Sequence, residues 1–419
     1  MTDRAGPALH RVLQRFDRPR LDDVAAAVGA ELERPEVAAT LDGAHTAAVA
    51  VGSRGIAGLV DIVRSVVSWL TERGLEVFLV PAMGSHGGAT ADGQLEILAH
   101  LGITETAVGA PIRSSMEVVE IASVTSPHGR EVGLFMDAIA WGEADVVIPV
   151  NRIKPHTGFR GPVESGICKM LAIGLGKHAG ARRLHGEGYG VFDRLILEAG
   201  RAILATGRVA FGVGVIENAY GEVAVVEAVP ASRVVEREQQ LLAQARRLMP
   251  RLLMPQVDVL VVERFGKNVS GVGMDANVTG RGETGVALPQ FDGPAIARIV
   301  VLGLTEETNG NAHGIGLADL ITQRVFDQID RGATWVNSLT AGSLACGRIP
   351  MALPTDDEAI TAAIHSLAGV DPGEARIVRI RDTLHLGEIA VSENLVETCR
   401  RIEGCTPGGP WDGTWAERV

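Results

Sequence analysis

The stretch AAVAVGSRGIAGLVDIVRSVVSWLTERGLEVFLVPAMGSHGGAT at 47–90 sets the expectation for the fold. Ala47 to Val51 and Val77 to Val80 are continuous apolar runs with the length and residue types of buried strands. Between them Leu59, Ile62, Val63, Val66, Val67 and Leu70 recur at helical spacing, and the stripe stops at Gly74, a residue type that ends helices. Strand, helix, strand in this order predicts a right-handed parallel crossover, a unit whose ligands sit beyond the carboxyl ends of the strands. Both strands run into Gly-rich loops at that end, VGSRGIAG at 51–58 and VPAMGSHGGAT at 80–90.

Outward from this unit the pattern repeats. DVVIPV at 145–150 and VAFGVGVI at 209–216 read as further strands of the same half. A charged helical stretch then meets Pro250 and Pro255 before VDVLVVERF opens a second half, which has strands at ARIVVLGL (297–304) and ARIVRI (375–380) and a helix near Gly316 to Gln328. The expected fold class is α/β: two α/β domains with mostly parallel sheets and a cofactor cleft between them. The boundaries predicted are an N-terminal cofactor-binding domain at 1–254 and a C-terminal domain at 255–390. A tail at 391–419, with no strand of its own, would dock back on the first domain.

Composition bounds the function classes. A chain of 419 residues, 46% hydrophobic and 21% charged, has ample core for two domains. Aromatic residues make up 4% and glycines number 51, so core volume is expected from Ala, Val, Leu and Ile between helices and strands. The formal net charge of −12 argues against nucleic acid or an anionic membrane surface as the main partner, since both need dense Lys and Arg. Cys168, Cys346, Cys399 and Cys405 lack the close pairing of a zinc site, and the charged start from Met1 to Leu21 lacks the apolar run of an export signal. A cytoplasmic location is the expectation, and no stretch reaches the ~18 to 20 apolar residues of a membrane helix.

The densest chemistry lies in NRIKPHTGFRGPVESGICKMLAIGLGKHAGARRLH at 151–185, directly after a predicted strand. Arg152, Lys154, His156, Arg160, Lys169, Lys177, His178 and His185 crowd a segment whose glycines let backbone approach a ligand. His86 sits among small residues in the 80–90 loop, and Arg54 stands between glycines at 52–55, where its planar fork suits a carboxylate. In the second half, ERFGKNVSGVGMDANVTGR at 263–281 offers Lys267, Asn268, Ser270, Asp275, Asn277 and Arg281. Four polar, Gly-rich loops at strand ends predict one cleft.

These motifs resemble the nickel-dependent lactate racemase family over residues ~45 to 300. Gly84-Ser85-His86 is similar to that family's Gly-x-His loop. Pro155-His156 with Gly158-Phe159 is similar to its Pro-His and Gly-Phe motif, and Lys169 and His185 to its cofactor lysine and its nickel histidine. The resemblance implies a nickel pincer nucleotide (nickel pyridinium-3,5-bisthiocarboxylate mononucleotide) tethered to Lys169, with His185 on the metal. It also implies cofactor-synthesis enzymes as partners and a 2-hydroxy acid as substrate, whose C2 hydrogen leaves as hydride while His86 and His156 act as bases. Arg54 and Lys267 would hold the carboxylate, and domains carrying them would close over it. Two departures bear on the substrate and the tether. The link RGPVESGIC between Phe159 and Lys169 is longer than the family's short Ser-Gly-Gly connection. The GSRGI loop lacks the Asp and Pro that flank the arginine in lactate-active members, which predicts a substrate other than lactate, for example a sugar acid. The residue types also admit a zinc-dependent hydrolase built on His86, His156 and His185, or a non-catalytic nucleotide-binding protein.

Overall fold

The computed structural model describes residues 8–416. Residues 1–7 of the charged start and 417–419 of the tail lie outside the described residues. Strand β1 (Leu9–Gln14) comes first, and its partners come from the far end of the chain. Then follow β2 (Thr46–Val51), β3 (Glu76–Pro81), the hairpin β4 (Val118–Thr125) and β5 (Glu131–Asp137), β6 (Val146–Arg152), β7 (Phe211–Glu217) and β8 (Val223–Pro230). The later strands are β9 (Gln256–Val262), β10 (Ala295–Val301), β11 (Leu320–Thr322), β12 (Met351–Leu353), β13 (Ile377–Ile380), β14 (Glu388–Ser392) and β15 (Cys405–Pro410).

Two compact units result, one formed by Pro19–Leu248 and the other by Met1–Arg18 with Met249–Val419. In the Pro19–Leu248 unit a five-stranded sheet runs β3-β2-β6-β7-β8, parallel except for the last pair. The predicted crossover is present: β2 and β3 pair in parallel, Ala47 opposite Val77, around the helix Leu59–Glu72. That helix buries Leu59, Ile62, Val63, Val66, Val67 and Leu70, the stripe read from the sequence, against one face of the sheet. The other face packs on the helices Phe192–Leu204 and Val234–Leu248.

The other unit carries an eight-stranded sheet, β12-β11-β10-β9-β13-β14-β1-β15. Its first half is parallel; from β13 onward every pairing is antiparallel. The division therefore differs from the expected 1–254, 255–390 and 391–419. Residues 9–14 join the sheet of the second unit, and the tail holds a strand, β15, paired to β1. The sequence CTPGGP of β15 carries no strand signal, but an edge strand tolerates Pro and Gly because only one side of it is in the ladder. The helix expected near 316–328 is likewise shortened, since Leu320–Thr322 forms β11 and helix occupies only Gln323–Gln328. No helix among the described residues is long and apolar enough to cross a membrane.

Candidate active site

Past the end of β6, Lys154 and Ser165 exchange two backbone hydrogen bonds, 2.9 and 3.2 Å, and close residues 154–165 into a loop. Its interior is filled by Glu164, a fully buried carboxylate. Glu164 accepts the backbone N–H of His156 (2.6 Å) and of Gly161 (3.1 Å), and pairs with Arg160 (3.4 Å) and Arg246. A buried carboxylate needs this saturation, because leaving one unpaired costs several kcal/mol. The loop is thereby fixed, and with it the buried ring of His156.

The chain then enters a short helical turn, Ile167–Lys169, that widens into a π-helical turn over Met170–Gly174, where the Leu175 N–H reaches back to the Met170 carbonyl at 2.9 Å. Such turns concentrate at functional sites. Glu238 accepts the Cys168 N–H at 2.9 Å. A side-chain carbon on Gly166 would come within 2.2 Å of the same carboxyl, so any larger residue there would displace Glu238. Burial raises the Glu238 carboxyl to about 7. Lys169 leaves this turn half-buried.

The helix Lys177–His185 ends on the second imidazole. The His185 ring stacks on Phe192 at 4.9 Å and 21° and meets Tyr189 edge-on at 5.9 Å. His156 packs on Phe159 at 4.5 Å and lies 6.3 Å from Tyr189, while Phe159 and Phe192 are 5.3 Å apart. Five rings thus form one wall. Burial pushes the His156 imidazole well below its ordinary value, with Lys169, His185, Lys154 and Arg160 acting in the same direction. Burial, then Lys169, lowers His185 to about 4. The structure therefore brings His156, Lys169 and His185 together and keeps both rings neutral near pH 7. The expectation of a His156 base near its unperturbed value of ~6.5 is corrected by this burial.

A pH dependence follows. The unfolded chain binds a proton at His185 near pH ~6.5 and the folded chain only near 4, so stability from this group is held above pH ~6.5 and lost as pH falls from there toward 4. His185→Phe is expected to flatten part of the fall in urea midpoint between pH 7.5 and 4.5. Identical slopes for variant and wild type would refute the depressed His185.

His86 and Arg54 lie on the loops after β3 and β2. His86 is exposed, and its Nδ1 meets the Ser53 hydroxyl at 2.5 Å, a partner that the sequence reading missed. A side-chain carbon on Gly52 would lie 3.1 Å from Met170 Cε and 3.7 Å from Asn151 Oδ1, so the Ser53-Arg54 loop packs against the turn that carries Lys169. The Gly84 N–H also donates to the Gly174 carbonyl at 3.1 Å, tying the His86 loop to the end of that turn.

Lys177 serves structure instead. Its ammonium is fully buried, 3.0 Å from Asp137, and donates to the Pro81 carbonyl (2.5 Å) and to Gln94 Oε1 (3.1 Å). Gln94 in turn donates to the carbonyls of Gly84 (2.9 Å) and His86 (3.3 Å). The His86 loop thus hangs on this buried pair, for which Lys177 accepts a left-handed backbone, φ 52°. Lys177→Met, which leaves Asp137 buried without its cation, is expected to cost about 3–5 kcal/mol in urea unfolding. A loss below ~1 kcal/mol would show the pair to be dispensable.

Lys267 belongs to the other unit. Its ammonium donates to the Gly271 carbonyl (2.8 Å) and to Asn337 Oδ1 (2.5 Å), bracing its own loop.

Among known proteins, no family model and no curated protein matches this sequence. Solved structures do. The lactate racemase apoprotein from Thermoanaerobacterium thermosaccharolyticum aligns with a TM-score of 0.53 at 14% identity, over 90% of this chain and 99% of that one. The chain has the α/β fold of that racemase. A protein from Thermotoga maritima, also 14% identical, aligns over 67% of this chain and 70% of its own with a TM-score of 0.48. At such identity the likeness establishes architecture, and chemistry has to be argued from the side chains.

Proposed function

We propose that the chain is a racemase or epimerase of a 2-hydroxy acid that works with a lysine-tethered nickel pincer nucleotide. The observation that carries this reading is the convergence of Lys169 with two neutral imidazoles, His156 and His185, on one aromatic wall. The donor set fits the group. Neutral His185 suits nickel, Lys169 offers an amine for attachment, and half-buried Tyr189 suits a flat ring system. Among the described residues no three His, Cys, Asp or Glu side chains are placed to hold a metal ion by themselves, which weighs against a zinc hydrolase and suits a metal that brings its own ligands.

When bound, the nucleotide would supply a hydride acceptor, which a C2–H bond of low acidity requires and no side chain provides. The residues do the rest. His86 and His156 handle the hydroxyl proton, and Arg54 holds the carboxylate. A substrate other than lactate is proposed from the GSRGI loop, and a hydrogen bond from Arg54 is worth ~1.5–3 kcal/mol, roughly tenfold to a hundredfold in rate.

The test is to express the chain beside cofactor-making enzymes, record its intact mass and nickel content, and supply 2-hydroxy acids deuterated at C2. An adduct with nickel, and racemisation that keeps most of the deuterium, are expected. Complete washout of label into water would overturn hydride transfer. Zinc alone would favour hydrolysis, and neither metal nor adduct a binding role.

A further inference from the structure

Two of the four cysteines meet near the end of the chain. Cys399 lies in the last turn of the helix Glu393–Arg400 and is fully buried, while Cys405 opens β15 and is half-buried against the same apolar cluster. A tight turn brings them together. The Ile402 N–H donates to the Cys399 carbonyl and the Cys405 N–H to the Ile402 carbonyl, each at 3.1 Å. Gly404 completes the turn at φ 84°, where a side-chain carbon would lie 2.9 Å from the Arg15 carbonyl oxygen. The two thiols share a hydrogen bond. That bond holds Cys405 below its ordinary value and raises Cys399, which burial raises further. The more accessible sulfur is therefore also the one that ionises first, with a second, protonated thiol directly behind it.

We propose that Cys399 and Cys405 form a thiol–disulfide exchange site, which takes a small-molecule disulfide as oxidant and closes reversibly into a bridge that fastens β15. The Cys405 thiolate attacks one sulfur of the oxidant R–S–S–R, whose S–S bond breaks; RS⁻ leaves and a mixed disulfide stands on Cys405. The Cys399 sulfur then attacks Cys405 Sγ, its proton passing to the thiolate released first. The second RS⁻ leaves and takes up the proton that Cys405 gave to solvent. Two protein thiols are thus oxidised, and the oxidant is reduced to two thiols. The bridge has an effect because of where β15 stands. It is an edge strand held in the sheet by β1, and its two prolines donate nothing to the ladder. Cys405 sits opposite Gln14, whose buried side chain donates to the carbonyls of Arg251 (3.2 Å) and Leu386 (2.7 Å) and accepts the Leu253 N–H (2.9 Å). A covalent link at Cys405 therefore fixes the ladder pair that lies beside the segment leading into β9.

The test treats the reduced full-length protein with excess oxidised glutathione, alkylates the remaining thiols and maps tryptic peptides without reduction. Cleavage after Arg400 and Arg401 separates the two cysteines. A cross-linked pair of peptides carrying Cys399 and Cys405 is expected. Cys399→Ser should stop at a glutathione adduct on Cys405, and Cys405→Ser should leave Cys399 without one. In the wild type, amide hydrogen exchange at Cys405, Thr406, Gly408 and Gly409 should slow roughly tenfold or more on oxidation and recover with dithiothreitol. A lasting glutathione adduct on wild-type Cys405, or no reaction at either thiol, overturns the exchange site. An adduct on Cys399 in Cys405→Ser overturns the order of attack, and a bridge that leaves exchange in β15 unchanged overturns the fastening. The wild-type result stands whether or not either variant folds.

Discussion

Replacing Lys169 with alanine is expected to give a protein whose intact mass carries no adduct and whose racemisation falls by ~10³ or more. The size of the loss follows from the chemistry left behind. Two neutral imidazoles and an arginine can orient a hydroxy acid and move its hydroxyl proton, but nothing among them accepts a hydride. The variant should fold, because Lys169 is half-buried at the mouth of a turn anchored by other groups, Glu238 on the Cys168 N–H and Asn151 on the Gly166 carbonyl at 2.7 Å. Its unfolding free energy should match wild type within ~1 kcal/mol. Full adduct occupancy on the alanine variant would show that the tether lies elsewhere, Lys154 on the preceding loop being the alternative amine.

Removing the imidazole at position 86 should cost ~10² to 10⁴ in rate, in both directions of the reaction, with the adduct and nickel content unchanged. His86 is the exposed member of the set, on a loop that the Lys177, Asp137 and Gln94 network holds from behind. Its loss therefore removes a proton acceptor without disturbing the core. Ser53→Ala should cost less, ~10-fold, because it removes only the hydrogen bond that aims the ring. Near-normal turnover in His86→Ala would remove this residue from the mechanism.

The parts of the site legible in the sequence were those written in one stretch. Helical and strand periodicity placed the β2–helix–β3 crossover, and once strands were placed their Gly-rich ends marked the loops of Arg54, His86 and the 151–185 run. What failed to show was pairing over distance. Lys177 reads as one more cation beside His178, and only the fold reveals Asp137, forty residues earlier, as its buried partner. Glu164 carries no signal in the sequence, yet its carboxylate organises its loop because Arg246 arrives from the helix Val234–Leu248. The neutrality of His156 and His185 is likewise a property of burial against Phe159 and Phe192. The tail was misread because β15 takes its strand geometry from β1 and not from its own CTPGGP residues.

Strand β1 also sets an order of events during synthesis. It lies between β14 and β15, with Leu13 opposite Glu388, so its partners are encoded some 375 residues downstream. At ~5–20 residues per second, a nascent β1 waits roughly 20–75 s with both hydrogen-bonding edges unsatisfied while residues 19–248 are completed. The unit of residues 19–248 can therefore finish as an insertion inside a sheet that is still open, and the last sheet to form is the one that pairs β1 with β14 and β15.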